Sequence, residues 1–307
     1  FMDRALYGTE GFYQRGGQAG RRGDFITSPE LGPLFAAVVA DAIGAGPVVE
    51  VGGGAGTLAR DILAVKPELT YTVVERSVPL RAAAEERAPG ATVVERMPPG
   101  RLGGVVLANE LLDNLAFDVL EWRAAAGWLE LGVDEHGEEA FRAAADDDIA
   151  LANRLVPDPP EGSRIPVQRQ ATQWVAGVLE RLDHGRLIVI DYADTTPAMA
   201  RRPWRDWLRT YKSHGRGSHP LAEPGSQDIT VEVAVDQLPP PTRNRTQAAF
   251  LREHGVEALV DEARRTWTER AAKGDLVALK ARSRINEAAA LLDPAGLGGF
   301  RVLEWET

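Results

Sequence analysis

Glu50-Val51-Gly52-Gly53-Gly54-Ala55-Gly56 is the stretch of sequence that decides the fold of this chain. It follows the apolar pair Val48-Val49 and precedes a helical pattern that begins near Thr57. Glycine suits such a turn because the backbone takes dihedral angles that side chains disfavour, and because a ligand can approach without meeting a Cβ atom. A strand, a glycine-rich turn and a helix in this order predict a ligand-binding corner of an α/β sheet.

The segments around the turn alternate between strand and helix patterns. Short apolar, β-branched runs predict strands, and amphipathic periods predict helices, in the following places: strands at 48–51, 71–75, 92–94 and 105–108, helices at 57–66 and 77–88. This alternation implies βαβ crossovers and a parallel sheet. Before the turn, Ser28-Pro29-Glu30 is typical of a helix start with Ser28 as the cap, and the apolar spacing continues to Ile43.

The second half of the chain changes character. Its patterns predict an antiparallel pair, a long amphipathic helix, a buried strand, a helical region and a last strand, in this order: 117–122 with 128–133, 167–182, 187–190, 246–292 and 300–305. Residues 194–228 are rich in Arg, Gly, Ser and Pro and show little periodicity. We therefore expect this stretch to be a functional loop or lid.

Composition narrows the classes of protein and site. The formal net charge of −10 disfavours nucleic acid as the main partner, because phosphate binding needs a basic surface. The absence of cysteine excludes disulfides, thiolate zinc sites and a cysteine nucleophile, and a reducing cytoplasm fits best. The five histidines form no close ligand pair and no run of 18 apolar residues occurs, so we expect neither a metal nor a membrane span. Richness in Ala, Gly and Arg suggests a bacterial origin.

Two classes of ligand use a turn of this kind. Dinucleotide enzymes carry G-x-G-x-x-G, but Thr57 stands where the third glycine would be. The observed spacing, E-x-G-x-G-x-G with Glu50 as the acid, is typical of proteins that bind S-adenosylmethionine. Glu75 ends the second strand, where a carboxylate can accept both ribose hydroxyls in either class. A nicotinamide-dependent oxidoreductase, and a glycine-rich turn that binds nothing, remain alternatives at this point.

Beyond the turn, the chain resembles the MidA-like methyltransferases, a family that includes the mitochondrial complex I assembly factor that methylates a protein arginine. The resemblance is carried by these segments: 23–30 (GDFITSPE), 50–58 (EVGGGAGTL), 108–113 (ANELLD), 190–192 (IDY), 208–211 (LRTY) with His214, and 224–230 (PGSQDIT). The chain departs from the family pattern at Gly53, Ala116, Ala193, Glu232 and Ala234. The cofactor half therefore matches better than the substrate half.

The resemblance implies an α/β fold with the Rossmann-like, mostly parallel sheet of class I methyltransferases, whose helical and loop elaborations form a lid and an acceptor cleft. It also implies S-adenosyl-L-methionine as the cofactor and a protein side chain, arginine, as the methyl acceptor. The residues expected to bind the cofactor are Gly23, Asp24, Thr27, Glu30, Glu50, Gly52, Gly54, Gly56, Thr57, Leu58, Glu75, Arg76 and Asn109.

The catalytic candidates are Asn109, Glu110 and Asp113, just past a strand end where α/β sheets bind ligands. Carboxylates there could orient a guanidinium and accept its proton. The alternative is a helix-start acid for Glu110 and a solvated helix face for Asp113. The candidates for substrate binding are Tyr211, His214 and Asp228.

We predict a single catalytic domain over 1–307. Its expected segments are a cofactor-covering segment at 1–45, a cofactor-binding core at 46–193, a lid and acceptor insertion at 194–296, and a closing strand at 297–307. We expect a protein substrate, no nucleic acid or membrane partner, and a possible homodimer. A non-catalytic assembly factor that kept the fold is the second alternative for function.

Overall fold

The structure is a computed structural model, and it describes residues 1–17, 27–213 and 215–307. The helices in these residues are α1 (Met2–Tyr7), α2 (Ser28–Leu31), α3 (Pro33–Ile43), α4 (Thr57–Val65), α5 (Val78–Arg87), α6 (Asp146–Leu155), α7 (Arg169–Arg181), α8 (Thr196–Ala200), α9 (Trp204–Trp207), α10 (Gln247–Glu253), α11 (Val256–Arg270) and α12 (Leu276–Leu292). The strands are β1 (Val48–Val51), β2 (Tyr71–Val74), β3 (Thr92–Val94), β4 (Leu102–Asn109), β5 (Asp118–Arg123), β6 (Gly127–Val133), β7 (Glu139–Ala143), β8 (Arg164–Val167), β9 (Leu182–Asp191), β10 (Ala193–Asp194), β11 (Leu208–Lys212), β12 (Gly215–Arg216), β13 (Asp228–Val231), β14 (Val233–Ala234), β15 (Arg243–Thr246) and β16 (Arg301–Glu306).

The described residues divide into two compact units. We call one the sheet unit; it comprises 27–110, 182–190 and 242–307. We call the other the mixed unit; it comprises 1–17, 111–181 and 191–241. The stretch that we predicted as an insertion, 194–296, is therefore divided between the two, while the single catalytic domain stays a prediction.

The sheet unit is built on a seven-stranded sheet of described residues, in the order β15-β16-β9-β4-β1-β2-β3. Strands β3, β2, β1, β4 and β9 pair in parallel, whereas β15 and β16 pair antiparallel. All four residues of β1 are buried, as expected for a parallel strand covered on both faces. The predicted α/β fold with a mostly parallel sheet is confirmed.

Register brings three chain segments to the same edge of this sheet. Val51 lies opposite Val74 of β2 and Ala108 of β4. The next residues along the three strands are Gly52, Glu75 and Asn109, at the carboxyl ends of adjacent parallel strands. The strand order reverses beside β1, which is the position where open α/β sheets bind ligands.

The predicted helix from Ser28 to Ile43 is two helices, α2 and α3, interrupted at Gly32. A Cβ atom at Gly32 would lie 2.3 Å from Cδ of Glu287, so only glycine permits this close approach of α12. Glu287 accepts a hydrogen bond from the backbone N of Leu34 in the first turn of α3. The prediction that Ser28 caps the helix is wrong, because its hydroxyl donates to Oε1 of Gln247.

The mixed unit contains the predicted antiparallel pair, β5 with β6, and extends it to a four-stranded sheet of described residues, β7-β6-β5-β8. Two smaller pairings join β11 to β12 and β13, and β10 to β14. The prediction that 194–228 lacks secondary structure is wrong, because α8, α9, β11 and β12 lie there. These elements are too short to show a helical or strand period in the sequence.

Each unit has its own apolar core. In the sheet unit, α3, α4 and α10 bury aliphatic and aromatic side chains such as Phe35, Ile62 and Phe250 against the sheet. In the mixed unit, Leu120 and Ile165 form one cluster and Trp207 belongs to another. Among the helices of the described residues, none is both long enough and apolar enough to cross a bilayer.

Candidate functional site

The glycine-rich turn between β1 and α4 has the backbone that the sequence predicts. Gly52, Gly54 and Gly56 have φ angles of 73°, 53° and 77°, in the left-handed region that favours glycine. A Cβ atom at Gly54 would meet nothing within 4 Å among the described residues, so space for a ligand borders the turn. At Gly53, a Cβ atom would lie 2.6 Å from Cγ1 of Val73, which explains glycine at a position where proline is common in the family.

Glu75 is bound to this turn through its carboxylate. Its Oε2 accepts from the backbone N of Gly54 at 2.9 Å and its Oε1 from the backbone N of Ser77 at 2.7 Å. Burial raises the pKa of Glu75, and the two N–H donors oppose that rise. A carboxylate has about four acceptor positions, so each oxygen keeps one for a further donor, such as a ribose hydroxyl.

Glu50 lies beneath the turn. Its side chain is buried, and its Oε2 accepts from the hydroxyl of Tyr71 at 2.9 Å. Burial raises the pKa of Glu50 to about 8, although the Tyr71 hydrogen bond opposes the rise. Its Cδ atom lies 3.3 Å from the position that a Cβ at Gly53 would take. Glu50 therefore packs against the turn at Gly53. Direct contact of Glu50 with the cofactor stays a prediction.

A second polar cluster lies where α4 begins. The hydroxyl of Thr57 donates to Oε1 of Glu30 at 2.6 Å, and Nη1 of Arg87 donates to the same hydroxyl oxygen at 2.8 Å. The structure thus brings together two predicted cofactor residues from α2 and α4. Arg87 was missed, because a basic residue in the last turn of a helix such as α5 is common and carries no specific signal.

The remaining predicted cofactor residues differ in what the structure shows of them. Leu58 packs in the apolar core of the sheet unit, so only its backbone is left for a ligand. Arg76 is exposed, and its carbonyl accepts from Arg81. Thr27 is buried next to α2. Gly23 and Asp24 lie outside the described residues.

Asn109 is the last residue of β4 and Glu110 follows it, at the same sheet edge. Nδ2 of Asn109 donates to Oε1 of Glu110 at 3.2 Å, whereas Oδ1 of Asn109 is buried and accepts no hydrogen bond from the described residues. Such an orphaned acceptor calls for a donor from elsewhere, and the amino-acid end of S-adenosylmethionine carries one. The residues around the turn therefore fit this cofactor.

Glu110 has a φ of 51°, a left-handed conformation that is uncommon for a residue with a side chain. Its backbone N donates to the carbonyl of Ile190 in β9 at 2.8 Å, which helps to hold this conformation. Its side chain is partly exposed. Backbone strain of this kind gathers at functional sites, so the conformation supports the choice of Glu110 as a catalytic candidate.

Asp113 belongs to the mixed unit and is 3% exposed, so it does not lie on a solvated helix face. Its Oδ2 accepts from the hydroxyl of Tyr192 at 2.5 Å. Burial raises the pKa of Asp113 to about 7, with the hydrogen bond from Tyr192 opposing the rise. Tyr192 was not among the predicted site residues, although the I-D-Y segment that contains it was part of the resemblance.

Of the predicted substrate residues, Tyr211 and Asp228 lie opposite each other in the pairing of β11 with β13. Asp228 is buried, and its Oδ1 accepts from the backbone N of Ile229 and lies 3.1 Å from the hydroxyl of Tyr13. That hydroxyl is also 2.7 Å from Oδ1 of Asn114. Tyr13 was missed because the first 30 residues gave no periodic pattern. His214 lies outside the described residues.

Glu232, a departure from the family pattern, has a structural explanation. Its Oε2 accepts from Arg202 and its Oε1 accepts from Nη2 of Arg209 at 2.5 Å. Both oxygens of this buried carboxylate are bound by guanidinium groups, so the acid at this position pairs with the two arginines. The next departure, Ala234, has its backbone N bound to Oε1 of Gln168. In the described part of the chain, no cluster of three or more His, Asp or Glu side chains could hold a metal ion.

Comparison with known proteins agrees with this geometry. A family model described as "Putative S-adenosyl-L-methionine-dependent methyltransferase" matches residues 36–253. A crystal structure of a Burkholderia thailandensis protein bound to S-adenosyl-homocysteine is 29% identical, with a TM-score of 0.80 over 100% of this chain and 86% of that one. These matches favour S-adenosylmethionine over a dinucleotide as the ligand of the turn.

Two curated relatives are mitochondrial proteins named protein arginine methyltransferase NDUFAF7 or its homologue. The Drosophila melanogaster protein is 28% identical over 73% of this chain and 61% of its own length. The Danio rerio protein is 25% identical over 81% of this chain and 70% of its own length. The chain thus spans about three fifths of the length of the Drosophila relative.

Proposed function

The chain belongs to the family of S-adenosyl-L-methionine-dependent methyltransferases whose model covers residues 36–253, and from this premise we propose that it transfers a methyl group to a protein side chain. We propose arginine as the acceptor, because the Drosophila and Danio relatives are named protein arginine methyltransferases. S-adenosylmethionine, the cofactor of the family, supplies an electrophilic methyl group on a sulfonium sulfur when it is bound. We extend the proposal to a cytoplasmic location, since a chain without cysteine suits a reducing compartment.

The residues that would hold this cofactor lie at the carboxyl edge of the sheet. Gly54 leaves room for close approach, Gly52 supplies the left-handed backbone of the turn, and the free acceptor positions of Glu75 suit ribose hydroxyls. The orphaned Oδ1 of Asn109 suits an N–H donor. Thr57 begins the helix that follows the turn, and its hydroxyl is bound to Glu30 of α2.

The observation that carries the proposal is the partly exposed carboxylate of Glu110 in a strained left-handed backbone at this edge. An arginine guanidinium is always protonated in water. Methyl transfer to it therefore requires a group that orients the guanidinium and takes up its proton. A carboxylate does both, through charge-assisted hydrogen bonds and general base catalysis. Glu110 is the residue to which we assign this work. Asp113 stays a candidate from its place in the same sequence segment.

The test is methyl transfer from radiolabelled S-adenosylmethionine to proteins of a cell lysate, with wild type, Glu110→Gln and Glu85→Gln. Glu85 is an exposed acid of α5, so its variant controls for the loss of one surface charge. We expect Glu110→Gln to lose labelling by about a hundredfold or more, the usual contribution of a general base. Calorimetry should show that both variants bind the cofactor as wild type does.

Hydrolysis of the labelled proteins then identifies the modified residue. Methylarginine is the expected product, and a different methylated residue would refute the arginine acceptor alone. Equal labelling by wild type and Glu110→Gln would refute the role of Glu110. Cofactor binding by wild type without any transfer would favour the non-catalytic assembly factor.

A further inference from the structure

Two consecutive residues at the end of β9 hold Asp113: Tyr192 contacts its carboxylate, and Asp191 contacts its backbone. We propose that Tyr192 is a positioning residue for Asp113: its hydroxyl engages Oδ2, so that Oδ1 alone is left for a donor group of the methyl acceptor. The role in transfer rests on the proposed function, whereas the hold on the carboxylate does not. The hydrogen bond from Tyr192 to Oδ2 measures 2.5 Å, and the Asp113 side of it is buried.

Asp191 fixes the backbone of the same segment. Its Oδ2 accepts from the backbone N of Leu112 at 3.0 Å and of Asp113 at 3.3 Å. Its Oδ1 accepts from the backbone N of Tyr192 at 3.0 Å, which ties the tyrosine to the same carboxylate. Backbone and side chain of Asp113 are therefore oriented together, as expected of a site that must present one oxygen in one direction.

Oδ1 of Asp113 is buried and accepts no hydrogen bond from the described residues. No lysine or arginine forms an ion pair with Asp113 in the part of the chain that the structure describes. A buried acceptor without a partner costs free energy that an incoming N–H donor would recover. A cationic acceptor such as a guanidinium offers both the N–H and the compensating charge.

The titratable groups beside Asp113 are tyrosine hydroxyls and an acid, and a second acid, Asp228, is bound to one of those hydroxyls. Tyr192 and Asp191 come from the end of β9, Tyr13 from the 3-10 turn Phe12–Arg15, and Asp228 from β13. Burial among them raises the pKa of Asp113 to about 7, and the hydrogen bond from Tyr192 is the first cause that lowers it. Removing that hydroxyl should therefore raise the pKa of Asp113 further, a change that loss of packing alone would not produce.

The first experiment measures this titration through stability, in urea, between pH 4 and pH 9. The free energy of unfolding of wild type is subtracted from that of Asp113→Asn, and the same difference is taken in the Tyr192→Phe background. A protein that contains a carboxyl with a raised pKa loses stability as pH rises from the unfolded to the folded pKa of that group. The difference in unfolding free energy between Asp113→Asn and wild type should therefore level off near pH 7. In the Tyr192→Phe background it should level off about one pH unit higher or more, the effect of one charge-assisted hydrogen bond.

Tyr7→Phe is the matched control, because it removes a tyrosine hydroxyl in the same unit from a ring that stacks on Tyr13 rather than contacting Asp113. In the Tyr7→Phe background, the difference in unfolding free energy caused by Asp113→Asn should level off at the same pH as in wild type. The same level-off pH with and without the Tyr192 hydroxyl would overturn the proposal. If Tyr192→Phe does not fold, the Tyr192 hydroxyl proton resonance decides: it should lie far downfield in wild type and move in Asp113→Asn, and an unmoved resonance would overturn it.

Activity provides the link to function. If the lysate assay identifies an acceptor, the acid limb of the kcat profile should move to higher pH in Tyr192→Phe, with the KM for S-adenosylmethionine unchanged. An unmoved acid limb would refute the role in transfer. If wild type transfers no methyl group, the proposed function fails, and the stability and resonance measurements still decide whether Tyr192 controls Asp113.

Discussion

The buried carboxyl of Glu50 makes the stability of this protein depend on pH in a way that a single substitution should remove. Burial raises the pKa of Glu50 from its ordinary 4.5 to about 8 in the folded chain. Since the unfolded chain loses the proton near pH 4.5 and the folded chain keeps it to about pH 8, folding becomes less favourable as pH rises between these values. The contribution of protonated Glu50 to the free energy of unfolding is fully present below pH 4.5 and fully lost above pH 8.

The size of the loss follows from the difference of the two pKa values. At about 1.4 kcal/mol per pH unit, a difference of about 3.5 units corresponds to ~5 kcal/mol at pH 9. Glu50→Gln keeps an amide oxygen that can still accept from the Tyr71 hydroxyl, but it cannot ionise. We therefore expect the variant to match wild type near pH 4.5 and to exceed it by several kcal/mol at pH 9.

The assay is urea denaturation of wild type, Glu50→Gln and Glu68→Gln at closely spaced pH values. Glu68 is exposed, so its variant shows what an ordinary surface carboxyl contributes. Each variant is interpreted through its difference in unfolding free energy from wild type, because the titrations of groups distant from the substitution cancel in that difference. A difference that stays flat between pH 5 and pH 9 would refute a protonated Glu50 in the folded protein.

Two further predictions concern the turn itself. Glu75→Gln removes the charge that two ribose hydroxyls would meet, so the affinity for S-adenosylmethionine measured by calorimetry should fall about tenfold or more. The amide has one acceptor oxygen for the two N–H donors of Gly54 and Ser77, so the melting temperature should also fall, and calorimetry is done well below it. Unchanged affinity would contradict the assignment of Glu75 to the ribose. Gly53→Ala places a methyl group 2.6 Å from Cγ1 of Val73 and should destabilise the protein by about 1–3 kcal/mol in urea. Val73→Ala in the same chain should recover part of that loss, and an additive double variant would show that the clash is not the cause.

The local part of the fold could be predicted from the sequence. The β-branched run before Gly52 identified β1, and the repeated strand and helix periods identified the parallel sheet, because both depend on burial patterns within a few residues. The glycine spacing with Glu50, and Thr57 in place of a third glycine, favoured S-adenosylmethionine as the ligand, whereas Glu75 suited either ligand class. The bounds of α4 and α5 also agreed with the prediction within one residue at each end.

The site beyond the turn was only partly predictable. Asn109, Glu110 and Asp113 were found through resemblance, but no local pattern says that Asp113 is buried rather than solvated. The stretch 194–228 gave no period, because its helices are short and its strands β10 and β11 depend on pairing with β14 and β13, which lie later in the chain.

What the sequence by itself determined is therefore the turn, its sheet and the class of cofactor, all of which follow from residues close together in the chain. Only the tertiary structure decided which residues contact each polar side chain. Tyr192 reaches Asp113 across 79 positions, and Tyr13 reaches Asp228 across 215. Packing of distant segments determines these partners and the burial of each carboxylate, and burial in turn shifts its pKa. No spacing in the sequence predicts these long-range contacts.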